Sequence, residues 1–99
     1  GVERLLLPSC TPGALLEALA RRGCNQVLWE CGPELAAAAL HDGGVQEIAA
    51  VIAPRILGGT PARTAVGDLG FSALSQVPHW LGGDPQRLGS DLLWQLQAP

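Results

Sequence analysis

The chain reads as an α/β protein with a largely parallel sheet, flanking helices and a C-terminal antiparallel element. Three observations predict this. Short apolar runs alternate with amphipathic helical segments through residues 5–53. The connections between them are short, as in βαβ units. A turn-rich stretch followed by one more apolar run then marks a hairpin near the C-terminus.

Leu5, Leu6 and Leu7 form the first short strand, stopped by Pro8. Thr11 is a good N-cap, Pro12 suits the first helical position and Gly23 suits the residue after the helix. Leu15, Leu16 and Leu19 fall on one face between them, so a helix spans residues 12–22. Arg21 and Arg22 favour the negative end of its dipole. Residues 26–29 make the second strand, an unbroken apolar run expected to be buried on both faces. Pro33 opens a second helix rich in alanine, with His41 near its end and Gly43 and Gly44 terminating it. Residues 47–53 give a third strand closed by Pro54.

Beyond Pro54 the character changes. Residues 58–70 hold four glycines and Pro61, so they read as a long loop, either functional or a linker. Residues 71–80 have no decisive pattern. Turn signals at Gly82, Gly83, Asp84 and Pro85, and again at Gly89, Ser90 and Asp91, precede a final strand over residues 92–96.

Ninety-nine residues, 47% of them hydrophobic, make at most one domain or a piece of one. The start at Gly1 fits a piece of something longer. Net charge is −3, with six arginines and no lysine. That gives no basic footprint for nucleic acid and no basic amphipathic helix for a membrane surface. No lysine is present to cradle phosphate or form a Schiff base. Cys10, Cys24 and Cys31 lack C-x-x-C spacing, so no metal site is expected. An odd, small cysteine count fits a reducing compartment, here the cytoplasm.

The stretch from Val27 to Leu35 carries the functional reading. An apolar strand runs into Glu30, then a tight turn, then a proline that starts a helix. Glu30 would stand at the carboxyl end of a strand beside a helix N-terminus, where ligands bind in open α/β sheets. Gly32 would let a phosphate approach the backbone. The N–H groups of Glu34, Leu35 and Ala36 would point at the ligand, and the following alanines would leave room for it. Glu34 favours the helix dipole but competes with an anion for the same end. The plainer reading is a strand–turn–helix with a solvated glutamate.

Other chemistry-bearing residues have simpler readings. Cys31 at a helix start is eligible as a nucleophile, but no histidine lies near it in sequence and a small packing residue suffices. His41 complements the helix dipole, His79 pairs with Trp80, and Asp84 and Asp91 form turns. Trp29, Trp80 and Trp94 are core or interface anchors. Arg55, after a strand end, suits a phosphate, a subunit contact or solvent.

Several motifs together resemble a known family. They are Leu15-Leu16-Glu17-Ala18-Leu19-Ala20-Arg21-Arg22-Gly23-Cys24-Asn25, Trp29-Glu30-Cys31-Gly32-Pro33, Val45-Gln46-Glu47 and Ile52-Ala53-Pro54-Arg55-Ile56-Leu57-Gly58-Gly59. In this order they resemble the C-terminal half of the riboflavin-biosynthesis reductase domain, the partner of a deaminase in a bifunctional enzyme. Gly89-Ser90-Asp91-Leu92-Leu93 is similar to its closing strand. The resemblance implies a dihydrofolate reductase-like fold, residues 1–99 being the C-terminal part of a reductase domain. It implies NADPH as cofactor and a phosphorylated ribosylaminopyrimidine as substrate, whose ribose is reduced to a ribityl chain. A homo-oligomer is expected.

By the same resemblance Glu30 contacts substrate, while Gly32, Pro33, Glu34, Leu35, Ala36, Ala37 and Ala38 bind the cofactor. No catalytic residue is assigned. Cys31 departs from the family's glycine or alanine, and Arg55 replaces its usual lysine. The family's first half, with further cofactor and substrate contacts, has no counterpart here. Nor has the deaminase signature of His-x-Glu and Pro-Cys-x-x-Cys. The alternative reading is a remnant without turnover that serves as an oligomerisation or interaction module. A related reductase with another substrate is a third.

Overall fold

A computed structural model describes residues 1–59 and 61–99. Its elements are α1 (Pro12–Arg21), α2 (Pro33–His41), β1 (Glu47–Ile52), a 3-10 turn (Leu74–Gln76), β2 (Leu81–Gly82), β3 (Gln86–Leu88) and β4 (Asp91–Gln97). They fall into two compact units, Gly1–Gly44 with Ala65–Leu69, and Val45–Thr64 with Gly70–Pro99.

Both helices of the first unit have ends written in the sequence. Thr11, extended at φ −123° and ψ 150°, accepts the Ala14 N–H on its side chain at 3.2 Å, and Pro12 follows. At the other end Gly23 takes φ 85°. Its N–H bonds Ala20 O at 2.9 Å and the Cys24 N–H bonds Leu19 O at 3.1 Å, a complete Schellman motif. α2 ends likewise, with Gly43 at φ 73° and the Gly43 and Gly44 N–H groups on Leu40 O and Ala39 O. A Cβ on Gly44 would lie 3.1 Å from Leu16 Cδ1, so α1 packs closely on the end of α2. Glu3 and Arg22 form an ion pair at the surface.

The second unit is an antiparallel sheet. β4 lies centrally, with β1 along one side and β2 and β3 sharing the other. The register pairs Ile48 with Leu96, Ala50 with Trp94 and Ile52 with Leu92 on one face. Glu47 with Gln97, Ala49 with Gln95 and Val51 with Leu93 take the other, more polar face. β2 and β3 are separated by residues 83–85, which swing out opposite the middle of β4. The Trp94 indole N–H closes that bulge by donating to Gly83 O at 2.6 Å. A Cβ on Gly82 would fall 2.5 Å from the same indole, so any other residue there would force the ring to shift.

Two expectations are corrected. The sheet is not largely parallel: among the described residues every strand pairing is antiparallel. Residues 5–7 and 26–29 also form no strand, and Leu28 is 85% exposed rather than buried on both faces. A strand exists only with a neighbour to take its N–H and C=O groups. Neither segment finds a backbone partner among the described residues. The C-terminal antiparallel element, the third strand and both helices form where the sequence puts them, within a residue or two at each end. The expected loop over 58–70 is irregular throughout its described part; Thr60 lies outside the described residues.

Candidate functional site

The turn into α2 is held from behind. Trp29 is half-buried and its indole N–H donates to Gly44 O at 3.3 Å, tying the segment before the turn to the far end of the helix. Glu30, next in sequence, is exposed and Cys31 half-buried. Gly32 is the N-cap of α2 at φ −77° and ψ 179° and offers no side-chain cap. Any residue could adopt that backbone, and a Cβ built there meets no atom within 4 Å. The glycine therefore answers to no need of the chain's own conformation or packing. It leaves open space directly before a helix N-terminus, where a phosphate could reach the backbone.

The donors at that end are fewer than the sequence suggests. The Ala36 N–H is taken by Gly32 O at 3.0 Å, closing the first helical turn, and Pro33 has none. Glu34 and Leu35 supply the two N–H groups left over by the helix. Both residues are exposed, and Glu34 puts a carboxylate in the first turn.

The remaining expected site residues are graded by burial. Pro33, Ala36 and Ala38 are half-buried, while Ala37 is buried at 8% exposure. Ala37 faces Gly67, whose own hypothetical Cβ would sit 3.6 Å from the Ala37 methyl and 3.2 Å from Pro33 O. The Gly67 N–H donates to that same Pro33 O at 2.9 Å. Residues 65–69 thus return to lie against the first turn of α2 and cover Ala37. Sequence reasoning missed this wall; its one signal was the glycine content of the long loop.

The other unit carries Arg55, exposed after β1, and Arg63. Arg63 lines a shallow concavity with Leu57, Gly58, Gly59, Pro61 and Ala62. His41 contacts Asp42 at 3.5 Å at the surface. Among the described residues no three His, Cys, Asp or Glu side chains converge to hold a metal. The cysteines are free, and no described helix is long and apolar enough to cross a membrane. The arrangement is a small turn with two backbone N–H groups open to an anion and two carboxylates, Glu30 and Glu34, beside them.

Residues 2–93 match the family described as the RibD C-terminal domain. A riboflavin biosynthesis protein RibD of Synechocystis is 46% identical over 93 residues, which are 94% of this chain and 25% of that protein. The chloroplastic riboflavin biosynthesis protein PYRR of Arabidopsis thaliana is 34% identical over 94% of this chain and 16% of its own length. A RibD protein of Mycobacterium tuberculosis is 37% identical over 95% and 26%. The chain thus spans a quarter or less of the first two relatives. It belongs to the RibD C-terminal domain family.

Proposed function

We propose that the chain supplies one wall of the active site of an NADPH-dependent reductase of riboflavin biosynthesis. Residues 1–99 would be the C-terminal part of its reductase domain. The substrate is 5-amino-6-(5-phosphoribosylamino)uracil, and its ribose becomes a ribityl chain. The observation that carries the reading is the open space at Gly32 before two uncommitted N–H groups. Family membership and riboflavin-biosynthesis relatives supply the chemistry.

The residues fit the cofactor. Gly32 lets a pyrophosphate reach the backbone, the Glu34 and Leu35 N–H groups donate to its oxygens, and the dipole of α2 favours its charge. Bound NADPH supplies the hydride that reduces the opened C1 of the ribose. Glu30, exposed beside the turn, accepts hydrogen bonds from substrate hydroxyls and fixes the sugar relative to the cofactor. Trp29 positions Glu30 through its bond to Gly44 O. Pro33, Ala36 and Ala38 form the apolar floor; Ala37 contributes from behind, by packing against Gly67.

The completed protein would be a homo-oligomer. Three free cysteines support a reducing compartment such as the cytoplasm. Titration of the chain with NADPH tests the reading. Saturable binding with a Kd on the order of 1 µM to 1 mM is expected. Absence of binding at millimolar cofactor favours an interaction module without turnover. Reduction of a pteridine in place of the ribosylaminopyrimidine would reassign the substrate.

A further inference from the structure

We propose that Gly67 is a positioning residue for the cofactor, acting through the peptide group that joins Pro33 to Glu34. The inference rests on reading the turn into α2 as the NADPH cradle.

A peptide group is planar, so whatever fixes its C=O also fixes the direction of its N–H. The Pro33 carbonyl and the Glu34 N–H are the two ends of one such plane. The Glu34 N–H is one of the two donors that the start of α2 leaves for a ligand. At the opposite end, the Gly67 N–H donates to Pro33 O at 2.9 Å. A bond accepted at the carbonyl polarises the whole peptide and strengthens what its N–H can donate. The Gly67 N–H, the Pro33–Glu34 peptide and a phosphate oxygen of the cofactor then form one line of hydrogen bonds.

Three observations favour this role over that of a loop merely laid against a helix. Pro33 is the first residue of α2, and the carbonyls that a helix leaves unpaired lie in its last turn. The Gly67 bond is therefore a second one on an oxygen the helix already uses, and α2 does not need it to satisfy its own backbone. Glycine at position 67 also answers to close approach and not to backbone conformation. Its φ is not positive, yet a Cβ there would lie 3.2 Å from Pro33 O and 3.6 Å from the Ala37 methyl. Finally, the two ends of the peptide differ in cover. Gly67 is half-buried against the buried Ala37, while Glu34 is exposed. Water competes little at the carbonyl end, and the N–H end stays open to a ligand. Coupling between the two ends runs both ways: if the Gly67 bond raises the affinity for NADPH, bound NADPH stabilises the Gly67 bond by the same factor.

The test is amide exchange and NADPH titration, followed by NMR on the full chain and on Gly67→Ala. The substitution keeps the N–H, but its methyl forces the segment away from Pro33 O. Without cofactor, the Glu34 amide proton of the variant should lie upfield of the parent's, because its peptide loses polarisation; the Leu35 proton should move less. Saturating the parent with NADPH should slow exchange at Gly67 by about 5- to 20-fold. Gly23, whose N–H bonds Ala20 O in α1, should slow less, which separates the coupling from a general stabilisation by ligand. The variant should bind NADPH more weakly by up to the same factor. Exchange at Gly67 slowed no more than at Gly23, an unmoved Glu34 amide proton, or a variant Kd within twofold of the parent's would each overturn the proposal. A parent that binds NADPH while Gly67 stays silent ends this inference alone. A parent that binds none at millimolar concentration ends the cradle and this inference with it. The parent's exchange and titration need no variant, so a poorly folded Gly67→Ala chain leaves the proposal open to refutation.

Discussion

Replacing Gly32 with valine separates a binding role from a structural one. The backbone there, at φ −77° and ψ 179°, suits valine, and the new side chain would enter space free of protein atoms. Stability should fall by only about 0.5–1 kcal/mol, the cost of a poorer N-cap. Cofactor binding should suffer more, because the branched side chain occupies the place of the approaching phosphate. Losing one charge-assisted hydrogen bond costs about 1.5–3 kcal/mol, and the helix dipole adds about 0.3–1 kcal/mol. A net loss of about 2–3 kcal/mol is a Kd about 30- to 150-fold weaker. The assay pairs an NADPH titration, followed by cofactor fluorescence, with urea unfolding of the same variant. An affinity within twofold of the parent, or a stability loss as large as the binding loss, would refute the argument.

Other substitutions test the frame around the turn. Gly67→Val pushes a side chain against Pro33 O and the Ala37 methyl; it should cost about 1–3 kcal/mol and weaken NADPH, and an unchanged Kd would show that residues 65–69 do not shape the site. Gly82→Ala sets a Cβ 2.5 Å from the Trp94 ring. Overpacking with loss of the indole bond to Gly83 should cost about 2–4 kcal/mol, with a shift in tryptophan emission; an unaltered spectrum and stability would contradict the packing. Thr11→Ala removes the acceptor for the Ala14 N–H and should cost about 1 kcal/mol, with Thr11→Ser close to the parent in urea midpoint.

Local signals were legible and non-local ones were not. Thr11 with Pro12, Pro33, Gly23 and Gly43 fixed both helices, because caps and φ-positive glycines act within a few residues. The hairpin of β3 and β4 followed from Gly89 and its neighbours in the same way. Parallel pairing failed because it depends on partners that sequence alone does not supply. Residues 5–7 and 26–29 have the right composition and period, but a ladder needs a second strand. The turn at Glu30 and Gly32 was readable as a motif. The wall at Gly67 was not, since no local rule tells where a long loop returns. The number of donors at the helix start was overstated for a simpler reason: the fourth N–H of any helix is already inside it.

The most direct test of the cofactor cradle is amide-resolved NMR of the chain during NADPH titration. The account predicts saturable shifts concentrated at Gly32, Glu34 and Leu35, with smaller ones at Gly67. Shifts confined to the Arg63 concavity, or none at millimolar NADPH, would contradict it.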